Sequence, residues 1–316
     1  MTSPIRRLAL AATVAASLLA TACGSAGDSE KDTSAAASVT GTFPVTLETA
    51  EGTLTIKAAP RHIVSLSATA TEMLFAIGAG AAVKAVDDQS NFPPEAPKTD
   101  LSGFTPNIEA IIGMAPDLVI VSDAVTELVT GLAKAKVTLL VLPAAVDIAD
   151  SYDQLELLGR ATGYTVGAEK VVATMKRDIE AILAGVTNRT SKPTYYHELD
   201  DTLYSVTSHT FIGSLYSLVG LTNIADSADK DGSGYPQLSQ EYLLSANPDL
   251  IFLADTICCG QNKTTLAARP GWSKLKAVAS GSVVELNDDI TSRWGPRIVD
   301  FLRAVAAAIA KQPIAK

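Results

Sequence analysis

The stretch "IEAIIGMAPDLVIVSD", from Ile108 to Asp123, has a near-double in "QEYLLSANPDLIFLAD", from Gln240 to Asp255. Their prolines, Pro116 and Pro248, stand 132 positions apart. Each stretch reads as a short helix, a Pro-Asp stop, an apolar run and a closing Asp. A short apolar run bounded by turn residues is a strand buried on both faces, and such strands belong to parallel sheets covered by helices. Local physics alone allows the coincidence, because Pro-Asp is a common stop before a buried strand. The shared order of Glu, Pro, Asp, Leu and Asp instead points to one αβ unit used once in each of two similar lobes.

The rest of the chain fits that plan. With 316 residues and 47% hydrophobic content, two domains of ordinary size have material for their cores. "FPVTLETAEGTLTIK" alternates around a Gly as a hairpin does. "RHIVSLS", "AAVKAVDD", "DLVIVSD" and "VTLLVLPA" read as strands. "ATATEMLFAIGAG", "TPNIEAIIGMA" and "VTELVTGLAKAK" read as helices, the second with Pro106 at its first position. "VGAEKVVATMKRDIEAILAGV" repeats apolar residues at helical spacing and makes one long connecting helix. A second lobe starts with the strand "PTYYHEL" and closes with "VVELNDD" and the helix "GPRIVDFLRAVAAAIAK". The fold class is therefore α/β: two Rossmann-like lobes with mostly parallel sheets, joined by one long helix, with a ligand cleft between them. Ligands of open parallel sheets sit beyond the carboxyl ends of the strands.

The first residues stand apart from this body. Arg6 and Arg7 precede the apolar "LALAATVAASLLA", and "ATAC" ends at Cys23. This is the pattern of an export signal, and the cysteine after small residues suggests a lipoprotein signal with Cys23 acylated. Ala20 stands where such motifs usually carry Leu. The small polar residues that follow cannot bury enough surface to form a core. The expected organisation is a signal peptide over 1–22, a lipidated flexible tether over 23–42, an N-terminal lobe over 43–166, the connecting helix over 167–187 and a C-terminal lobe over 188–316. A formal charge of −9 gives no electrostatic reason to seek nucleic acid. "GAGAAV" lacks a third glycine and follows a helix, no P-loop or G-x-S-x-G elbow occurs, and "YHELDD" carries Asp201 where a zinc protease needs its second His.

"PRHIVSLSATATEMLFAIGAG", "SGFTPNIEAIIGMAPDLVIVSD", "GYPQLSQEYLLSANPDLIFL" and "RWGPRIVDFL", in this order over residues 58 to 312, resemble the substrate-binding proteins of ABC importers for cobalamin and ferric siderophores. The vitamin B12-binding group is the nearest match. The resemblance implies a non-enzymatic, monomeric protein outside the cytoplasmic membrane. It would hold a metal chelate between its lobes and pass it to a permease dimer driven by ATPases. It implies permease docking through one glutamate per lobe, Glu72 and Glu241. Their local readings are a T-x-x-E capping box from Thr69 and a favourable charge at a helix start. It places Ser67, Asp88, Phe104, Tyr204, His209, Tyr235 and Trp294 near the ligand, and implies no resident cofactor or metal.

Acids crowd the predicted strand ends: Asp87, Asp88, Asp123, Glu198, Asp200, Asp201, Asp255, Asp288 and Asp289, with Arg293 and Arg297 as the nearby bases. An acidic rim favours a neutral or cationic cargo, either cobalamin or a cationic hydroxamate siderophore, over anionic chelates. Haem is an alternative, with His209, Tyr195, Tyr196, Tyr204 or Tyr235 as axial ligand. An extracytoplasmic metal-dependent hydrolase and a binder of bare zinc or manganese are more remote, since the three histidines have no metal-ligand spacing. Cys258 and Cys259 are adjacent, and at this stage a vicinal disulfide, free thiols and a metal ligand all stay open.

Overall fold

The computed structural model describes residues 39–186 and 192–312. The export signal, Cys23 and most of the expected tether lie outside the described residues. The body starts slightly earlier than expected. The backbone N–H groups of Thr40 and Gly41 both donate to the carbonyl of Gly163, so the last residues assigned to the tether are fastened to the first lobe.

A hairpin of β1 (Val45–Thr49) and β2 (Gly52–Ile56) leads into the first lobe. There follow β3 (Ile63–Leu66), α1 (Ala68–Ala76), β4 (Val83–Val86), α2 (Ile108–Gly113), β5 (Leu118–Val121), α3 (Thr126–Lys134) and β6 (Thr138–Val141). Two packed helices follow, α4 (Ile148–Thr162) and α5 (Thr165–Ala184), and α5 leads into the second lobe. The second lobe holds β7 (Thr194–Glu198), α6 (Phe211–Leu218), β8 (Thr222–Asn223), α7 (Gln240–Ala246) and β9 (Leu250–Leu253). Then come α8 (Lys263–Ala268), α9 (Lys276–Ala279), β10 (Val283–Glu285), α10 (Asp288–Thr291) and α11 (Ile298–Ala310).

Each lobe has one four-stranded parallel sheet, ordered β4-β3-β5-β6 in the first and β8-β7-β9-β10 in the second. The central strands β3, β5, β7 and β9 are buried at nearly every position, as their unbroken apolar runs require. The repeat is structural. Ile63 pairs with Leu118 in one sheet, and Tyr195 with Leu250 in the other; both members of the second pair lie 132 positions beyond the first. Ala115 and Asn247, also 132 apart, both end their helices in the left-handed region, at φ 49° and 46°. The aspartates after the two prolines do the same work. Asp117 accepts the backbone N–H groups of Arg61 and His62, and Asp249 accepts the N–H and hydroxyl of Thr194. Each thereby ties its strand to the start of the neighbouring one.

Two expectations need correction. Pro106 precedes α2 rather than opening it; Asn107 is the cap, its side chain accepting the N–H of Ala110. The long connecting helix expected over 167–187 is α5, while α4, packed along it within the expected N-terminal lobe, is a helix that the sequence reading lacks. Its Asp147 cap accepts the N–H groups of Ala149 and Asp150. Gly163, at φ +83°, turns the chain back, and Gly159 lets α5 come close: a Cβ there would stand 2.5 Å from that of Ala168.

Candidate ligand-binding cleft

Between the lobes lies a pocket of about 300 Å³. Its first-lobe wall is built from the carboxyl ends of β3, β4 and β5, which bring Ser67, Asp87, Gln89, Ser122 and Asp123 together, with Gly103 and Phe104 from the loop before α2. Its second-lobe wall is Asp289 and Ser292–Trp294, from α10 and the turn after it. Of the residues predicted to meet a ligand, Ser67, Phe104 and Trp294 line this pocket. Asp88, Tyr204, His209 and Tyr235 do not line it but are exposed. Tyr204 and Tyr235 stand on neighbouring segments, joined by hydrogen bonds from Ser205 to Pro236 and from Thr207 to Gly234. Phe104 is 83% exposed, at the mouth of the pocket.

Ser67 has two structural duties. Its hydroxyl caps α1 by accepting the Ala70 N–H and also accepts a hydrogen bond from Ser122. Ser67, not Thr69, is thus the cap, and Glu72 takes no part in a capping box. The Glu72 side chain points instead into the lobe junction. Arg293 donates to its Oε1 at 2.8 Å, and Arg297 donates to its two oxygens at 2.9 and 2.5 Å. Glu72 is 3% exposed. Arg293 also reaches Asp289, Asn91 and the Gln89 carbonyl, while Arg297 stacks over Phe92 at 4.1 Å. The adjoining Trp294 donates its indole N–H to Gln154, and its carbonyl accepts from Ser151. Residues 289–297 of the second lobe are therefore stitched to α1, α4 and the 89–91 loop of the first. A carboxylate held in this way cannot reach another chain without breaking these bonds, so the docking role implied for Glu72 does not fit its position. No local sequence signal marks the partners, which lie more than 220 positions away.

Glu241, unlike Glu72, is free of the lobe junction. It is exposed in the first turn of α7, whose cap is Ser239. The register of the repeat then identifies its counterpart. Glu109, 132 positions earlier, is exposed in the first turn of α2, whose cap Asn107 is likewise 132 positions before Ser239. The sequence itself carries that signal, since Glu109 and Glu241 are the second residues of the two repeated stretches.

The acidic rim is narrower than the sequence suggests. Asp87, Asp123 and Asp289 line the pocket. Its guanidinium, Arg293, is already shared between Glu72 and Asp289. Asp87 is 3% exposed, its Oδ1 lacks a partner, and burial raises its pKa against the lowering effect of Ser90. Glu198 and Asp255, expected on the rim, are fully buried in the second lobe. Arg269 grips Glu198 through two hydrogen bonds of 2.6 Å and also reaches Gln261. Neither oxygen of Asp255 has a donor. Burial first, and then the nearby charge of Glu198, push the Asp255 carboxyl up to about 7. Tyr195 and Tyr196 are also core residues, 1% and 0% exposed, so neither can serve as an axial ligand in the cleft.

The Asp255 position gives a pH prediction. Its folded pKa lies above the ordinary 3.8, so the folded state holds a proton that the unfolded state releases. Stability therefore falls as pH rises from about 4 to about 7, and the penalty is complete above that. Asp255→Asn will remove a cost on the order of 4 kcal/mol at pH 8 and change little at pH 4. Urea unfolding of both proteins at the two pH values checks this; equal gains at both would contradict it.

A larger groove of about 710 Å³ lies on the first lobe, among the hairpin turn, the end of β6, α4 and α5. Glu48, Asp150, Asp153, Glu156, Glu169 and Arg160 contribute to its walls, but no aromatic side chain does. The interlobe pocket combines carboxylates, hydroxyls and two aromatic rings in one place.

The comparisons with known proteins agree with this architecture. The periplasmic binding protein family model matches residues 63–290. An ABC transporter substrate-binding lipoprotein of Bacillus subtilis is 29% identical over 309 residues, covering 95% of each chain. A cobalamin-binding protein of Halobacterium salinarum is 31% identical over 277 residues, covering 84% of this chain and 74% of that one. The solved vitamin B12-binding protein of Vibrio cholerae superposes with a TM-score of 0.65 at 24% identity, covering 80% and 99% of the two chains. The chain belongs to the periplasmic binding protein family.

Proposed function

We propose that this protein is the extracytoplasmic, lipid-anchored cargo binder of an ABC importer, and that its cargo is cobalamin. The observation that carries the reading is the chemistry of the interlobe pocket. Phe104 and Trp294 offer apolar faces, while Asp87, Asp123 and Asp289 face a single guanidinium already engaged by two carboxylates. A large chelate with a neutral or cationic periphery gains area from the rings and hydrogen bonds from the acids. An anionic chelate would be desolvated beside carboxylates with no free cation in the pocket lining. A volume of about 300 Å³ takes an edge of such a cargo. The exposed Tyr204 and Tyr235 are available to cover what projects. Relatives named for cobalamin and for ABC transport support the same reading.

Delivery would use Glu109 and Glu241. They are exposed, equivalent in the repeat and one per lobe, so a permease dimer can meet them with one pair of basic sites. Cys23 would carry the lipid.

A cationic or neutral hydroxamate siderophore satisfies the same electrostatic argument and is the second reading. Haem fits less well: its two carboxylates would face the acids, and Tyr204, Tyr235 and His209 are the remaining axial donors. Calorimetric titration with cyanocobalamin, a ferric hydroxamate and haem separates the three. Micromolar or tighter one-to-one binding of cyanocobalamin alone is the expected result. Binding of the hydroxamate alone would move the cargo to iron and overturn the cobalamin assignment.

A further inference from the structure

Cys258 and Cys259 follow β9 at the cleft end of the second sheet, and both are exposed free thiols. The segment bearing them is braced from below. The Asp288 carboxylate accepts the backbone N–H groups of Thr256, Ile257 and Cys258 at 2.9, 2.9 and 2.7 Å, and the Thr256 hydroxyl at 3.0 Å. Cys259 donates its N–H to the Asp255 carbonyl, and Gly260 then leaves the turn at φ +66°. The brace adjoins the pocket, since the next residue, Asp289, lines it and binds Arg293.

An exposed single cysteine here would be a liability for a cargo binder. In an oxidising medium it forms mixed disulfides with small thiols, or links two chains. Either product leaves a bulky group beside the cleft. A second cysteine next to it changes the outcome, because its thiolate reaches the mixed disulfide faster than any thiol from solution.

We propose that Cys258 and Cys259 form a self-clearing dithiol site, which low-molecular-weight disulfides oxidise within the chain and thiols reopen. In the first step one thiolate attacks a small disulfide, RSSR; an S–S bond to the cysteine forms and RS⁻ leaves. In the second step the neighbouring thiolate attacks that cysteine sulfur, closing a ring through the intervening peptide and expelling the second RS⁻. The two thiol protons end on the two departing thiolates. The chain is oxidised by two electrons and the small disulfide reduced by two. Cα atoms joined by a trans peptide are about 3.8 Å apart, shorter than the roughly 4.4–6.8 Å that a disulfide usually spans, so the ring is strained and readily reduced. That suits a site meant to reopen.

Asp288 acts as the brake. Partial burial, hydrogen bonds with Cys259 and Asp288, and the charge of Asp288 push the Cys258 thiol up to about 12, which slows thiolate formation. Ring closure also twists the peptide that follows the Cys258 N–H held by Asp288, the one whose own N–H, on Cys259, donates to the Asp255 carbonyl. The extracytoplasmic setting rests on the function proposed above, whereas the thiol chemistry does not, and the test reads the thiols without cargo.

The experiment treats the full chain with glutathione disulfide and follows the tryptic peptide 231–263, which contains only these two cysteines. The wild-type peptide will lose two hydrogens in mass, carry no glutathione and regain both thiols with dithiothreitol. Cys258→Ser and Cys259→Ser will instead collect glutathione adducts or disulfide-linked dimers. Asp288→Asn will oxidise at least about tenfold faster. A stable glutathione adduct or a dimer as the main wild-type product, or thiols that stay fully alkylatable, would overturn the proposal. An unchanged rate in Asp288→Asn would overturn the brake.

Discussion

Replacing Glu109 and Glu241 together by alanine will leave cargo affinity unchanged and reduce uptake by two orders of magnitude or more. Both carboxylates are exposed and lie outside the pocket lining, so neither contributes to cargo binding or to the core. At a docking interface, close charge pairs contribute about 1.5 kcal/mol or more each. Losing two at that lower bound weakens docking by about 3 kcal/mol, more than a hundredfold. Each single variant will lose about tenfold. Cargo uptake by whole cells, alongside calorimetry on the purified variants, measures both quantities. Normal uptake by the double variant would remove these two helix starts as docking points. A parallel fall in cargo affinity would place them in the binding site instead.

Glu72→Ala will have its large effect on stability. The variant leaves Arg297 with no carboxylate partner among its described hydrogen bonds, and leaves Arg293 with Asp289, Asn91 and a carbonyl. Arg293 is as buried as the core, and stripping one partner from a buried ion pair typically costs about 3–5 kcal/mol. The loss should sit toward the low end, because Phe92 and Asp289 remain beside the guanidinium groups. Urea unfolding at neutral pH measures it. A loss below about 1 kcal/mol would show that the network is not what joins the lobes. Glu72→Ala also separates the two glutamate roles, since it should weaken the body while Glu109→Ala should not.

The contrast between these residues shows what a sequence can reveal. The lobe repeat was readable because it is local: a cap, a helix, a left-handed residue, Pro-Asp and a buried strand all fall within one short stretch. Its constant offset even pairs Glu109 with Glu241. Glu72 misled because its local pattern, T-x-x-E, is a capping signature, whereas Ser67 already caps the helix and the true partners come from the far end of the chain. Glu198 and Asp255 were read as rim acids because they end strands, but Arg269 and the loop over them close that end of the second lobe. Tyr195 and Tyr196 sit side by side in the strand β7, so their opposite-pointing rings enter the two faces of a fully covered sheet. α4 is hard to read from sequence because much of its surface is acidic and polar, and its apolar stripe is meaningful only against α5. Phe104 and Trp294 line the pocket, while Tyr204, Tyr235 and His209 lie outside its lining.

The interlobe cleft is the proposed cobalamin site. It is tested most directly by titrating the intrinsic fluorescence of the wild type and of Phe104→Ala with cyanocobalamin. Phe104 is 83% exposed, so its removal should not disturb the fold. Saturable one-site quenching is expected for the wild type and roughly tenfold weaker binding for the variant, the effect of losing about 1.4 kcal/mol of aromatic contact. Absence of saturation, or equal affinity in the two proteins, would contradict it.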